Sequence, residues 1–396
     1  MTKPCICWMV LASTLVALTV GCGGSSAPKT STSAPSGQNT VAVSVNSGPT
    51  SSYANGLFVS VTVCVPGSST CQTIPDILVD TGSTGLRLLS SVVTISLPQQ
   101  SGSNGPVAEC LPFLSGYTWG PVQSADIKVG GESASAVPIQ VLSDTAFPVP
   151  TGCTNFGLQS MNTLQTLGAN GLLGVGLFAQ DCGSACAQTG SSNPGLYYQC
   201  PKSCQVTAQT LTQQVQNPVA MFSSDNNGVI ILLPAASSPE ASLSGSLVFG
   251  IGTQSNNALG SATVYTVNNF GNFTTTYKGQ PYPNSFIDSG SNGYFFLDSS
   301  VTGLPDCVTA IGFYCPTSTQ NLSATNQGAS GGSGTVSFSV GNAETFFSNQ
   351  SDFVFGNLGG PGQDFDWGLP FFYGRNVFTA IEGKSTPGGT GPYWAY

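Results

Sequence analysis

Two stretches of the chain repeat one pattern. DILVDTGSTGLRLL, from Asp76 to Leu89, and SFIDSGSNGYFFL, from Ser285 to Leu297, each lead an apolar run into an aspartate, a small hydroxyl residue, glycine and serine, then into a second apolar run. One aspartate among turn formers is ordinary turn chemistry. A second copy in matching context restricts the chain to two halves built alike. At similar distance behind each copy comes a glycine in an apolar setting, Gly174 in GLLGVG and Gly368 in DWGLPFF.

The totals bound the rest. With 50 Gly and 26 Pro in 396 residues and only 6% charged side chains, the chain suits turn-rich β structure better than exposed helices. A net charge of -9 and the absence of any basic run offer nothing to a phosphate backbone, so nucleic acid is not an expected partner. There is no histidine, which excludes Ser-His-Asp and Cys-His catalysis and leaves acid-base chemistry to Asp and Glu.

At the N-terminus Lys3 precedes an apolar run from Ile6 to Val20 that ends LTVGC. About 15 apolar residues are short for a membrane span. The run resembles a bacterial lipoprotein signal, with Thr19 where such signals usually carry Leu, and implies a signal peptide over 1–21 and lipidation of Cys22. Residues 22–45, rich in Ser, Thr, Pro and Gly, read as a tether. The absence of Asp after Cys22 implies sorting outward, to the outer membrane. Removal of Cys5, Cys7 and Cys22 leaves ten cysteines in an oxidising compartment, where disulfides are expected. Cys64 and Cys71 flank the PGSS turn of a hairpin, Cys307 and Cys315 are a second local pair, and Cys110 and Cys153 remain for each other. Cys182, Cys186, Cys200 and Cys204 form CxxxC twice, readable as two nested bridges of open connectivity or as a four-thiolate metal site; the bridges are preferred, and no metal or other cofactor is expected.

Together, NGLFVSVTV, ILVDTGS, ANGLLGVG, GSLVFGIGT, FIDSGS and GLPFFYGRNVFTAIEG resemble, in order, the segments of the pepsin-like aspartic peptidases. The resemblance implies an all-β, bilobal acid-protease fold, two barrel-like lobes around a cleft, with lobes over 46–255 and 256–396. Short helices are expected near 158–168 and, as a closing strand, turn and helix, after Gly374. It also implies a monomer that takes a polypeptide substrate or a protein ligand in the cleft. Asp80 and Asp288 become the catalytic pair. Two carboxylates within about 3 Å cannot both ionise; they share a proton, and one activates water while the other protonates the scissile carbonyl. Thr81 and Ser289 would lock the two loops together, Gly82 and Gly290 would admit backbone N–H groups, and Ser83 and Ser291 would bond the outer carboxylate oxygens.

Three departures stand beside these matches. Arg87 occupies the place of the family's Trp. Phe113, with Tyr117 as a substitute, falls at the tyrosine of the hairpin that closes over substrate. Asp366-Trp367 replaces two apolar residues before Gly368. The reading is therefore a lipid-anchored aspartic endopeptidase, with a non-catalytic binding or inhibitory lipoprotein as the alternative.

Overall fold

The computed structural model describes residues 37–155 and 157–396; the expected signal peptide and Cys22 lie outside them. The strand Cys71–Asp80 ends on the first repeated aspartate, turns through Thr81–Ser83, and continues as Thr84–Leu89. Inserted between those two, the strand Gly171–Val175 runs parallel to the first and antiparallel to the second, with Gly174 opposite both Asp80 and Gly85. The second copy has the same plan. Gln280–Ile287 leads to Asp288, Tyr294–Phe296 follows, and Asp366–Trp367 lies between them, parallel to the former and antiparallel to the latter. Gly174 and Gly368 close this arrangement because there is no room beside them. A Cβ would stand 2.6 Å from the Thr84 carbonyl carbon at Gly174, and 2.1 Å from the Gly293 carbonyl oxygen at Gly368.

Each loop belongs to its own sheet. The first sits in a sixteen-stranded sheet and the second in a seven-stranded one. The fold is all-β, as expected, with four- and five-residue α-helices. The division at residue 256 separates the two aspartate loops but not the two sheets. Val264–Thr266, Asn376–Ala380 and Tyr393–Ala395 all extend the first sheet beyond Gly228–Leu232.

Two expectations are corrected here. The tether does not extend to 45, because TVAVSVN forms the strand Thr40–Asn46, pairing with Leu243–Phe249 and Gly56–Cys64. Its alternating valines half-bury a strand, with Val43 and Val45 in the core; Ser and Thr content alone hid that period. No helix follows Gly374: NVFTA, β-branched and aromatic, is the strand Asn376–Ala380, buried after its first residue and hydrogen-bonded on both edges. The other expected helix is a single turn, Leu164–Leu167, capped by Thr163 and ended by Gly168 at φ 71°.

Five disulfides join Cys64 to Cys71, Cys110 to Cys153, Cys182 to Cys186, Cys200 to Cys204 and Cys307 to Cys315. The two CxxxC segments are therefore not nested. Each closes on itself, its Cα atoms 5.7 Å and 4.0 Å apart respectively, within bridging reach or close to it.

Candidate active site

Asp80 and Asp288 meet at the floor of a cleft of about 1120 Å³. Both crowd one point: a Cβ placed on Gly290 would stand 2.8 Å from Asp80 Oδ1 and 3.1 Å from Asp288 Oδ1. On Gly82 a Cβ would fall 2.6 Å from Asp288 Cγ. Any side chain at either glycine would push the carboxylates apart, which gives the small residue in each copy its physical reason.

The loops hold one another by a reciprocal exchange. The Thr81 amide donates to Ser289 Oγ at 3.1 Å, and the Ser289 amide donates to Thr81 Oγ1 at 2.9 Å. Each hydroxyl passes its own hydrogen on, Ser289 to the Val79 carbonyl at 2.8 Å and Thr81 to the Ile287 carbonyl at 3.3 Å. Every polar atom of the lock is thereby satisfied in a site where an unsatisfied one would be costly. The carboxylates are oriented the same way on both sides. Gly82 N–H donates to Asp80 Oδ1 at 2.8 Å and Gly290 N–H to Asp288 Oδ1 at 2.7 Å. Ser83 and Ser291 donate to the Oδ2 atoms at 2.5 Å and 3.0 Å.

Burial pushes the Asp288 carboxyl well above the usual carboxylate range. The Asp80 and Asp366 charges and a hydrogen bond to Asp80 add to this, and the Gly290 amide opposes it. The pair therefore retains a proton that a solvated pair would release.

Asp366 is buried and does not face solvent. Alternation along its short strand sends Trp367 into an aromatic core with Phe365, Phe338 and Tyr294, and turns Asp366 to the opposite face. There its Oδ2 stands 2.6 Å from Ser291 Oγ.

Arg87 is fully buried, and sequence could not name its partners. Its guanidinium donates to the Thr84 carbonyl at 2.6 Å, to Asp181 at 2.8 Å and to Glu109 at 3.3 Å. Tyr197 donates to the other oxygen of Asp181 at 2.7 Å. Burial first, then the Asp181 charge, pushes Glu109 well above its ordinary value, so Glu109 keeps its proton beside the Arg87–Asp181 salt bridge.

Phe113 begins the tip of the hairpin made by Gly105–Pro112 and Tyr117–Val129, lines the cleft, and lies 5.7 Å from the Arg87 guanidinium by its ring centre. Arg87 and Phe113 are thus in contact, as a cation-π pair. Tyr117 is no substitute. It packs away from the cleft with Trp119, Tyr198 and the Cys110–Cys153 bridge, since residues on opposite sides of a turn need not share a face.

Tyr53, which sequence reading missed, lines the cleft edge-on to Phe58. Burial, then Asp80 and Asp288, pushes its hydroxyl far up, so it meets the pair as a neutral phenol. Its position between the strands Thr40–Asn46 and Gly56–Cys64 carries no sequence signal. Asn55, two residues on, bonds to Asn292, Phe355 and Tyr373 of the other half at 2.8–2.9 Å.

No curated protein matches the chain in sequence. Among solved structures, the aspartic proteinase of Irpex lacteus is similar with a TM-score of 0.53, over 90% of this chain and 96% of that one, at 15% identity. The likeness at that identity is one of fold, and it is the fold that the repeated aspartate loops implied. Residues 35–396 match the family model described as "Protein of unknown function (DUF3443)", and the chain belongs to that family.

Proposed function

We propose that this protein is an aspartic endopeptidase, lipid-anchored at the cell envelope through Cys22, that hydrolyses extended polypeptide in the cleft. The single observation that carries the reading is the convergence of Asp80 and Asp288 beside Gly290 under the Thr81–Ser289 lock. A water between the carboxyls gives a proton to the ionised member as it attacks the scissile carbonyl, and the protonated member, Asp288, donates to the carbonyl oxygen. Ser83 and Ser291 keep the outer oxygens aimed; the apolar segments on both sides keep the proton from bulk water. The exposed side chains of Leu114 and Phe270, at 81% and 83%, stand where the cleft opens and offer apolar contact to a bound chain.

The test is digestion of an unfolded protein between about pH 3 and about pH 7, with Asp80→Asn and Asp288→Asn each expected to abolish cleavage in a folded protein. A second reading, a binding or inhibitory lipoprotein, is favoured by one observation: the Arg87–Phe113 contact in place of two aromatic rings. Absence of cleavage across that range, with no binding of a transition-state-mimicking inhibitor, selects the second reading.

A further inference from the structure

The hydroxyl of Ser291 stands between two carboxyls, 3.0 Å from Asp288 Oδ2 and 2.6 Å from Asp366 Oδ2. A hydroxyl has one hydrogen and can donate to only one of them. The other contact is a hydrogen bond only if that carboxyl carries the hydrogen; otherwise two electron-rich oxygens face each other unshielded. Asp366 is 7% exposed and its Oδ1 is buried with no hydrogen-bond partner, a poor setting for an anion. The flanking strands Gln280–Ile287 and Tyr294–Phe296 bring no cation, their titratable groups being Tyr282 and Tyr294. The one charge that acts on it, that of Asp80, is itself acidic.

We propose that Asp366 is a positioning residue that stores a proton for the aspartate pair and exchanges it with Asp288 through the Ser291 hydroxyl. The role in turnover rests on the peptidase reading; the sharing of the proton rests on the geometry alone. After Asp288 has given its proton to substrate, the Ser291 O–H bond breaks and its hydrogen bonds to Asp288 Oδ2, while the Asp366 Oδ2–H bond breaks and its hydrogen bonds to Ser291 Oγ. Two O–H bonds break and two form, no atom changes oxidation state, and Asp366 is left as a carboxylate that regains a proton from water in the cleft it lines. Burial and the Asp80 charge, opposed by Ser291, push the Asp366 carboxyl up to about 8, so the store is filled throughout the acid range.

The experiment is a carbon-13 NMR titration of the full-length protein carrying carboxyl-labelled aspartate, as wild type, Asp366→Asn and Ser291→Ala. In the wild type one carboxyl should titrate with a midpoint of about 8, and the Asp288 resonance should move in the same window. Asp366→Asn should remove that step. Ser291→Ala should keep the step and shrink the accompanying Asp288 shift about threefold, since only the through-space part of the coupling survives. An Asp366 midpoint in the ordinary carboxylate range, or an Asp288 curve unchanged by Ser291→Ala, overturns the proposal. Neither readout needs cleavage, so the expected titrations in a protein that cuts nothing would sink the peptidase reading and leave the proton sharing intact. Where peptide is cut, Asp366→Asn should lower kcat about tenfold with KM unchanged, and an unaltered kcat overturns the role in turnover.

Discussion

Thr81 and Ser289, 208 residues apart in sequence, each give a backbone N–H to the other's hydroxyl. The spacing of the two aspartates is therefore set by the two main chains through these two hydroxyls. Thr81→Val keeps the shape but leaves the Ser289 amide buried without an acceptor, at a cost of about 1–3 kcal/mol. The urea midpoint should fall accordingly, and cleavage should fall further than the folded fraction does, because the carboxylates lose their fixed separation. Parallel losses of fold and activity would show that the lock is structural only.

Acid should stabilise this protein. A carboxyl whose value rises on folding, as that of Asp366 does from 3.8 to about 8, binds its proton more tightly folded than unfolded. Its contribution is complete below the unfolded value and is lost as pH rises through the folded one. Urea midpoints should decline between about pH 4 and about pH 8, and the decline should be shallower in Asp366→Asn. A slope equal in the two proteins contradicts the assignment.

At the Arg87 cluster, opposite outcomes are expected from two neighbouring changes. Arg87→Met leaves the Asp181 carboxyl buried without the cation of its salt bridge, at a cost of about 3–5 kcal/mol. Glu109→Gln replaces a neutral acid by a neutral amide of the same shape and should cost less than about 1 kcal/mol. Thermal unfolding of both variants decides the matter, and an equal loss in the two would show that Glu109 is ionised.

The disulfides should differ in worth with the loop each closes. Cys110–Cys153 spans 43 residues and Cys200–Cys204 spans 4, so chain entropy assigns about 4 kcal/mol to the first and about 2 kcal/mol to the second. Double alanine variants measured by denaturant unfolding should keep that order.

What the sequence made legible was whatever recurs or is local. The aspartate loops repeat, so their pairing could be read, and Gly174 and Gly368 could be matched because each sits in an apolar run behind its loop. The bridges from Cys64 and from Cys307 span single turns. Glu109 and Asp181 could not be assigned to Arg87, because the contact joins three segments whose separation carries no pattern. Tyr53 was invisible for the same reason, since it reaches the pair from a loop of no marked composition. The errors at Thr40–Val45 and after Gly374 arose where a short β-branched or aromatic run was judged by its surroundings instead of by its own period.

The placement of Asn376–Ala380 and Tyr393–Ala395 in the first sheet has a consequence for how the chain is made. Gly228–Leu232 has Leu243–Phe249 on one side and only Asn376–Ala380 on the other. During synthesis that edge stays open until Asn376–Ala380 has been added, although the first aspartate loop and its supporting strand are finished long before. The nascent chain must therefore carry an incomplete sheet, with free N–H and C=O groups along one strand, while residues 233–375 are made. Any factor that shields an unpaired β edge would act on this protein in that interval.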